Sequence, residues 1–170
     1  MERIFIPDNE HVVRVILYLD NNGTISPKSF KLRQWPEPKG PERYISVIRY
    51  EAESAEKDLR AFDKGRNLPC AMMNVGDIRA IEFFLGATKQ YPVVFDVRDM
   101  HTEANRSHAG IFITVNGMPL EGSGETLFNS LEIGVEKEMS VMAVRRLLVD
   151  IASMSLTTIG SLWNDHLTLP

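Results

Sequence analysis

Apolar and polar residues follow one another along the chain in patterns that predict several β-strands. Val93–Val97 and Ala109–Val115 are apolar runs of strand length, joined by a polar loop. Tyr44–Tyr50 alternates between two faces, as a half-buried strand does, and Leu68–Val75 is apolar over a similar length. We expect these segments to form the body of a sheet.

A hairpin is predicted near the N-terminus. Val12–Leu19 and Thr24–Leu32 flank an Asn-Gly step, which favours the positive φ angles of tight hairpin turns. Pro27 lies inside the second arm and cannot donate to a ladder, so that arm should be an edge strand or begin after the proline. Residues 34–41 carry three prolines and are predicted to link this hairpin to the remainder of one domain.

Two segments show the spacing of amphipathic helices. Ser54–Lys64 begins with a serine that can cap it, has apolar residues three and four positions apart, and is followed by Gly65 as a stop. Val135–Met154 repeats apolar residues at the same spacing between charged ones and is predicted to be the longest helix. Residues 155–170 form an apolar tail that we expect to continue as a second helical segment after Gly160.

Composition makes a single folded domain the simplest expectation. With 170 residues, 44% apolar and 25% charged, the chain is typical of a soluble globular domain spanning residues 1–170. We predict an α+β fold, with a mixed or mainly antiparallel β-sheet and with a short central helix and a long C-terminal helix packed on one face. A strictly parallel α/β fold is disfavoured because the helical segments do not alternate with the strands.

The net charge and the cysteine content limit the classes of function that we expect for this chain. The net charge of -4 at pH 7 argues against a large basic surface for nucleic acid. Cys70 is the single cysteine, so no intrachain disulfide can form, and its apolar surroundings favour a buried residue over a reactive thiolate. No apolar run approaches the roughly 20 residues of a membrane-spanning helix, and the N-terminus lacks an apolar signal region. We therefore expect a cytoplasmic protein without a membrane partner.

The polar loop between the two central strands carries the best candidates for chemistry. Asp96, Asp99, His101, Glu103 and His108 fall within thirteen residues. Carboxylates and imidazoles can share proton transfer or bind divalent metals. The enzymatic interpretation makes His108, Asp96 and Asp99 catalytic, or His101, Glu103 and His108 metal ligands. The simpler interpretation is a polar connection with a structural His108, since no established metal-ligand spacing is present.

Two short phrases have a counterpart in a known family. The chain resembles the NlpC/P60 cysteine peptidases in two short sequence motifs. The first is Gly76-Asp77-Ile78 with Phe83-Phe84, and the second is His108-Ala109-Gly110-Ile111-Phe112-Ile113. In that family the histidine at the strand start pairs with a cysteine at the head of a helix. The resemblance implies that His108 is the general base. It leaves the nucleophile unassigned, because Cys70 stands just before Gly76 and outside the family's cysteine-containing phrase.

The C-terminal tail indicates a different class of function. Its apolar residues must be buried against their own domain, a partner or a second copy; they are Leu156, Ile159, Leu162 and Trp163. No nucleotide-binding pattern is present, and we expect no cofactor. The preferred hypothesis is a non-enzymatic interaction, accessory or immunity-like protein that docks on a protein partner or a second copy through the C-terminal helix and tail. The alternative, which leaves the question of enzyme activity open, is a small hydrolase or metal-dependent enzyme centred on His108 and residues 96–108.

Overall fold

An antiparallel sheet of eight strands forms the centre of the computed structural model, which describes residues 2–133 and 137–164. The strands are β1 His11–Val15, β2 Ile45–Arg49, β3 Pro69–Asn74, β4 Phe83–Leu85, β5 Tyr91–Asp99, β6 His108–Val115, β7 Met118–Pro119 and β8 Leu156–Thr158. Their spatial order is β4-β5-β6-β2-β1-β3-β8, and β7 pairs with β6. The strands predicted for the body of the sheet are present as β2, β3, β5 and β6.

Five helices accompany the sheet in the described part of the chain. They are α1 Ala55–Asp63, α2 Val75–Arg79, α3 Glu125–Ser130, α4 Lys137–Ser153 and α5 Ser161–Asn164. The predicted helices correspond to α1 and α4, and the α+β class is confirmed. Ser54 precedes α1, but its hydroxyl donates to the Asp58 carboxylate instead of accepting a backbone N–H. None of the described helices is long and apolar enough to cross a lipid bilayer.

The helices α1 and α4 cover opposite faces of the sheet. Val12 and Val13 are consecutive in β1 and therefore point to opposite faces, and they belong to two different apolar clusters. The larger cluster contains Val144 and Leu148 of α4, and we call its side of the sheet the α4 face. The smaller cluster contains Leu59 of α1 and marks the α1 face. We expected both helices to pack on one face, and the structure corrects this detail of the prediction. Because the central strands are apolar on both sides, each face is covered by a helix.

The predicted N-terminal hairpin forms only in part. Leu19 pairs with Ile25 in an isolated bridge across the turn. The second arm does not continue as a strand to Leu32, because Pro27–Phe30 forms a 3-10 turn. Proline favours this turn, since it fixes a helix-compatible φ and supplies no N–H to a ladder. Residues 34–41 then lead to β2. Because β1 lies between β2 and β3, the chain on both sides of this segment shares one sheet.

The C-terminal tail folds back onto the sheet. Leu156–Thr158 forms β8 beside β3, and Ser161–Asn164 forms α5. The helical segment expected after Gly160 corresponds to α5. The strand β8 before it was not predicted, although its two consecutive threonines favour a strand. Residues 165–170 of the predicted tail, and residues 135 and 136 of the predicted long helix, lie outside the described residues.

Candidate functional site

The loop between β5 and β6 begins with a buried acid and a histidine in direct contact. Asp99, the last residue of β5, is 2% exposed. Its Oδ2 lies 2.5 Å from Nδ1 of His101, and its Oδ1 accepts the His101 main-chain N–H at 3.1 Å. Oδ2 also accepts the N–H of Ile4 at 2.9 Å. One carboxylate therefore ties the loop and the N-terminal segment to the end of the strand.

Hydrogen bonding keeps Asp99 ionised. Burial by itself would raise the pKa of this carboxyl, but hydrogen bonds from the Ile4 N–H and from His101 outweigh burial and hold the pKa below its usual value. The carboxylate is consequently an anion at neutral pH and an acceptor only. Arg3 adds to the same contact, since its Nη1 donates to the His101 carbonyl at 3.2 Å.

Asp96 belongs to a separate cluster near the edge of β5. Its Oδ1 accepts from Nε of Arg79 at 2.9 Å, and its Oδ2 accepts from Nε of Arg98 at 3.0 Å. Arg79 also donates to a carboxylate and a main-chain carbonyl of the N-terminal segment. Burial by itself would raise the pKa of Asp96, but hydrogen bonds from the two arginines and from the Val97 N–H outweigh burial and lower it. A depression of about 700 Å³ opens beside this cluster, bordered by Phe5 and Phe112. Arg79 and Arg98 are both engaged by carboxylates, which is typical of a structural ion-pair network.

His108 is the first residue of β6, and its side chain lies on the α1 face. Its Nε2 lies 3.3 Å from Oγ of Ser46 in β2, and its ring centroid is 5.7 Å from that of Tyr44. Burial lowers the pKa of His108 against the opposing effect of the nearby Met100 main chain. A neutral imidazole follows at neutral pH, and its unprotonated nitrogen can accept a hydrogen bond from a hydroxyl.

A groove separates α1 from the sheet beside this histidine. Its volume is about 320 Å³, and Ser46 and His108 lie along it together with the apolar side chains of Val13, Ile48 and Leu59. The floor is therefore apolar, and the polar pair stands at one side. This is the general composition of small-molecule sites, which combine an apolar lining with a few polar groups.

Asp58 anchors the loop to α1. Its Oδ2 accepts the Ser107 hydroxyl at 2.5 Å and the Ser107 N–H at 3.2 Å, and Ser54 donates to the same oxygen at 2.9 Å. Ser107 is fully buried. The residue just before His108 is thus held against the helix. This contact fixes the position of His108 at the start of the strand.

The predicted catalytic residues lie at separate places. Strand alternation turns Asp99 to the α4 face and Asp96 and His108 to the α1 face. His108 pairs with Ile48 of β2, whereas Asp96 pairs with Phe112, four residues further along β6. The structure brings Asp99 to His101, and it does not bring Asp96, Asp99 and His108 into one cluster.

The predicted metal ligands also face different partners. The ring of His101 contacts Asp99, the ring of His108 contacts Ser46, and Glu103 is exposed. Over residues 2–133 and 137–164, no group of three His, Cys, Asp or Glu side chains is placed to hold a metal ion.

Three polar residues that make these contacts were not predicted as site residues from the sequence: Ser46, Asp58 and Arg79. Ser46 alternates with Ile45 and Val47, so its exposure was predictable, but only the pairing of β2 with β6 brings it to His108. Arg79 lies in a short helix, and nothing local distinguishes it from other arginines. The signal that would identify them is the tertiary pairing of strands.

The predicted interaction residues of the tail are mostly packed within the chain. Ile159 and Leu162 are 0% and 8% exposed, in the cluster beneath α1. Trp163 is half-buried and stacks on Tyr50 with ring centroids 5.7 Å apart. Leu156 keeps 38% of its surface exposed. Much of the apolar surface of the tail is therefore buried against its own domain.

No family model matches the chain, and no curated protein or solved structure matches it significantly. The resemblance to NlpC/P60 peptidases thus rests on its two short phrases. Burial raises the pKa of Cys70 to about 12, so this thiol is protonated at neutral pH and is no thiolate partner for His108.

Proposed function

We propose that this chain is an intracellular interaction or accessory protein that docks on a protein partner through the end of its C-terminal helix and the strand β8. A free strand edge with exposed apolar side chains carries the proposal. Within the described residues, β8 pairs with β3 alone. Met154 and Leu156 are 86% and 38% exposed. The unpaired Cys70 fits the reducing interior of a cell.

The edge of β8 offers backbone groups to a partner strand. Ile159 donates its N–H to the carbonyl of Leu68, next to β3. By the alternation of an antiparallel ladder, the N–H and C=O groups of Leu156 and Thr158 then point away from β3. The strand contains neither proline nor a charged residue, which are common protections of an edge. An extended segment of another protein can therefore add to the sheet here.

Apolar side chains beside the edge supply the second part of the contact. Leu156 pairs with Ala71 and so lies on the α4 face, and Met154 follows the last residue of α4. Methionine adapts to varied apolar partners. The partner segment that fits is an extended one with apolar residues at alternate positions. Ile159 and Leu162 contribute indirectly, since their burial holds β8 in place from the α1 face.

Purification of the tagged chain from its own host, followed by native mass spectrometry, tests the proposal. The wild type should carry a protein partner in a fixed ratio. Leu156→Lys places a charge at the edge and should lose this partner while keeping the circular dichroism spectrum of the wild type. Hydrogen exchange of the complex should show slower exchange at the amides of Leu156 and Thr158 than in the free chain.

The matched control is Val94→Lys, at another surface position that is 54% exposed. It adds the same charge far along the sheet, on β5, and should retain the partner. A wild type without a partner, or a partner that survives Leu156→Lys and is lost with Val94→Lys, would contradict docking at β8.

A further inference from the structure

Ser46 and His108 form a hydroxyl–imidazole pair on the α1 face. The 3.3 Å between Oγ and Nε2 is a loose hydrogen bond, typical of a nucleophile and its base before substrate binds. Ser46 is exposed, so its hydroxyl is open to reagents. The main chain of Met100 lies beside the same imidazole. In the tautomer that carries its proton on Nδ1, Nε2 is the basic nitrogen that faces the serine.

The groove next to the pair determines which substrates fit. Its volume of about 320 Å³ is at the lower end of small-molecule sites, which span about 300–1,000 Å³. Val13, Ile48 and Leu59 line it, and Phe62, which is 50% exposed, lies at the same groove. A short apolar chain fits within this volume, whereas most of a long acyl chain would lie outside it.

We propose that Ser46 and His108 are the nucleophile and general base of a site that hydrolyses esters of short apolar acids. Oγ of Ser46 attacks the ester carbonyl carbon while Nε2 of His108 takes the hydroxyl proton. The bond to the leaving alkoxide then breaks, and the alkoxide receives that proton from His108, which leaves an acyl group on Ser46. Water next gives a proton to His108 and attacks the acyl carbon. Ser46 leaves with that proton, and the carboxylic acid is released.

Asn105 supplies the remaining element of such a site. It lines the same groove, and a side-chain amide can donate to the oxyanion that forms on the carbonyl oxygen. The loop that carries Asn105 is fixed to α1 through Ser107 and Asp58, which places the donor before the substrate arrives. This activity goes beyond the docking function and uses a different face of the sheet from Leu156.

Labelling with a small alkyl fluorophosphonate tests the nucleophile directly. Oγ of Ser46 displaces fluoride at phosphorus, and intact mass spectrometry with peptide mapping should locate one added phosphonyl group on Ser46. Ser46→Ala should remove the label. His108→Gln should slow labelling by at least about 100-fold, the usual contribution of a positioned base. Hydrolysis of p-nitrophenyl butyrate should follow the same order, and p-nitrophenyl palmitate should not be hydrolysed.

Ser153→Ala is the matched control, because Ser153 is an exposed serine on α4. It should label and hydrolyse like the wild type, and so should Leu156→Lys, which separates this proposal from docking. A wild type that is not labelled at Ser46, or one labelled at the same rate in His108→Gln, would overturn the proposal. If circular dichroism shows that His108→Gln is unfolded, the comparison of Ser46→Ala with wild type decides, since that change removes only an exposed hydroxyl.

Discussion

The Asp99 carboxylate lies 2.5 Å from Nδ1 of His101 and also accepts the main-chain N–H of Ile4. These residues come from two parts of the chain that are about a hundred positions apart in sequence, so Asp99 joins the N-terminal segment to the loop after β5. An acid that is buried and bonded in this way stabilises the fold through its ionised form.

Replacing Asp99 with Asn should destabilise the protein and loosen the N-terminal segment. The Asn side chain keeps one acceptor oxygen. Its NH2 group, however, would face N–H groups that donate to the Asp99 carboxylate in the wild type. We expect a loss of about 1–3 kcal/mol in the free energy of unfolding, the usual penalty for unsatisfied buried polar groups. Urea denaturation measures this loss, and hydrogen exchange at Ile4 should become faster. Glu103→Gln, in the exposed part of the same loop, should change neither quantity; an equal effect of both variants would contradict the role of Asp99.

Acidification should remove the same contribution. The pKa of Asp99 is lower in the folded chain than the unfolded value of about 3.9. The stabilisation is thus present in full above about pH 4 and is lost as the pH falls through the folded-state pKa. Asp96 has a pKa shift in the same direction, so the whole protein should lose stability in acid. The difference between wild type and Asp99→Asn should be large near pH 6 and should shrink near pH 3 in urea titrations. A constant difference would show that Asp99 acts by shape alone.

The contact of Asp99 with His101 could be anticipated because it is local. The two residues are two positions apart, and the sequence placed both in one polar loop. The pairing of Ser46 with His108 spans 62 positions, and no spacing in the sequence encodes which strand lies beside β6. Periodicity predicted the longer strands and helices, such as β5 and α4, since each follows from local pattern. The order of the strands, and the opposite faces of α1 and α4, depend on long-range packing.

Cys70 should be inert towards thiol reagents in the folded protein. It is fully buried, and burial raises its pKa to about 12, so both access and ionisation oppose reaction. Ellman's reagent at pH 8 should give no signal with the native chain and one thiol per chain after addition of guanidinium chloride. The variant Ser153→Cys, at an exposed helix position, should react at once with one equivalent. Rapid native labelling of Cys70 would contradict its placement in the core.

The absence of a side chain at Gly110 makes room for the ring of Tyr44. A Cβ at Gly110 would lie 2.5 Å from Cδ2 and 2.7 Å from Cγ of that ring, so Gly110→Ala must displace it and disturb its contact with Phe112. We expect a loss of about 1–3 kcal/mol in unfolding free energy, as for overpacking in a core. The double variant Tyr44→Ala/Gly110→Ala should lose less than the sum of the two single variants, by about 1 kcal/mol or more. Additive losses in urea denaturation would show that the clash is not the cause.

The tail residues should divide into core and surface by their effect on stability. Ile159 is fully buried between α1 and β3, whereas Leu156 is 38% exposed at the sheet edge. Ile159→Ala removes buried methyl groups and leaves a cavity, so it should lower the free energy of unfolding by about 2–5 kcal/mol. Leu156→Ala should lower it by no more than about 1 kcal/mol, as surface substitutions usually do. Thermal and urea denaturation of the two variants measure the difference. Because both residues are large, apolar and only three positions apart, equal losses would mean that the tail does not fold back onto the sheet as β8 and α5, and the docking edge at Leu156 would have no fixed geometry.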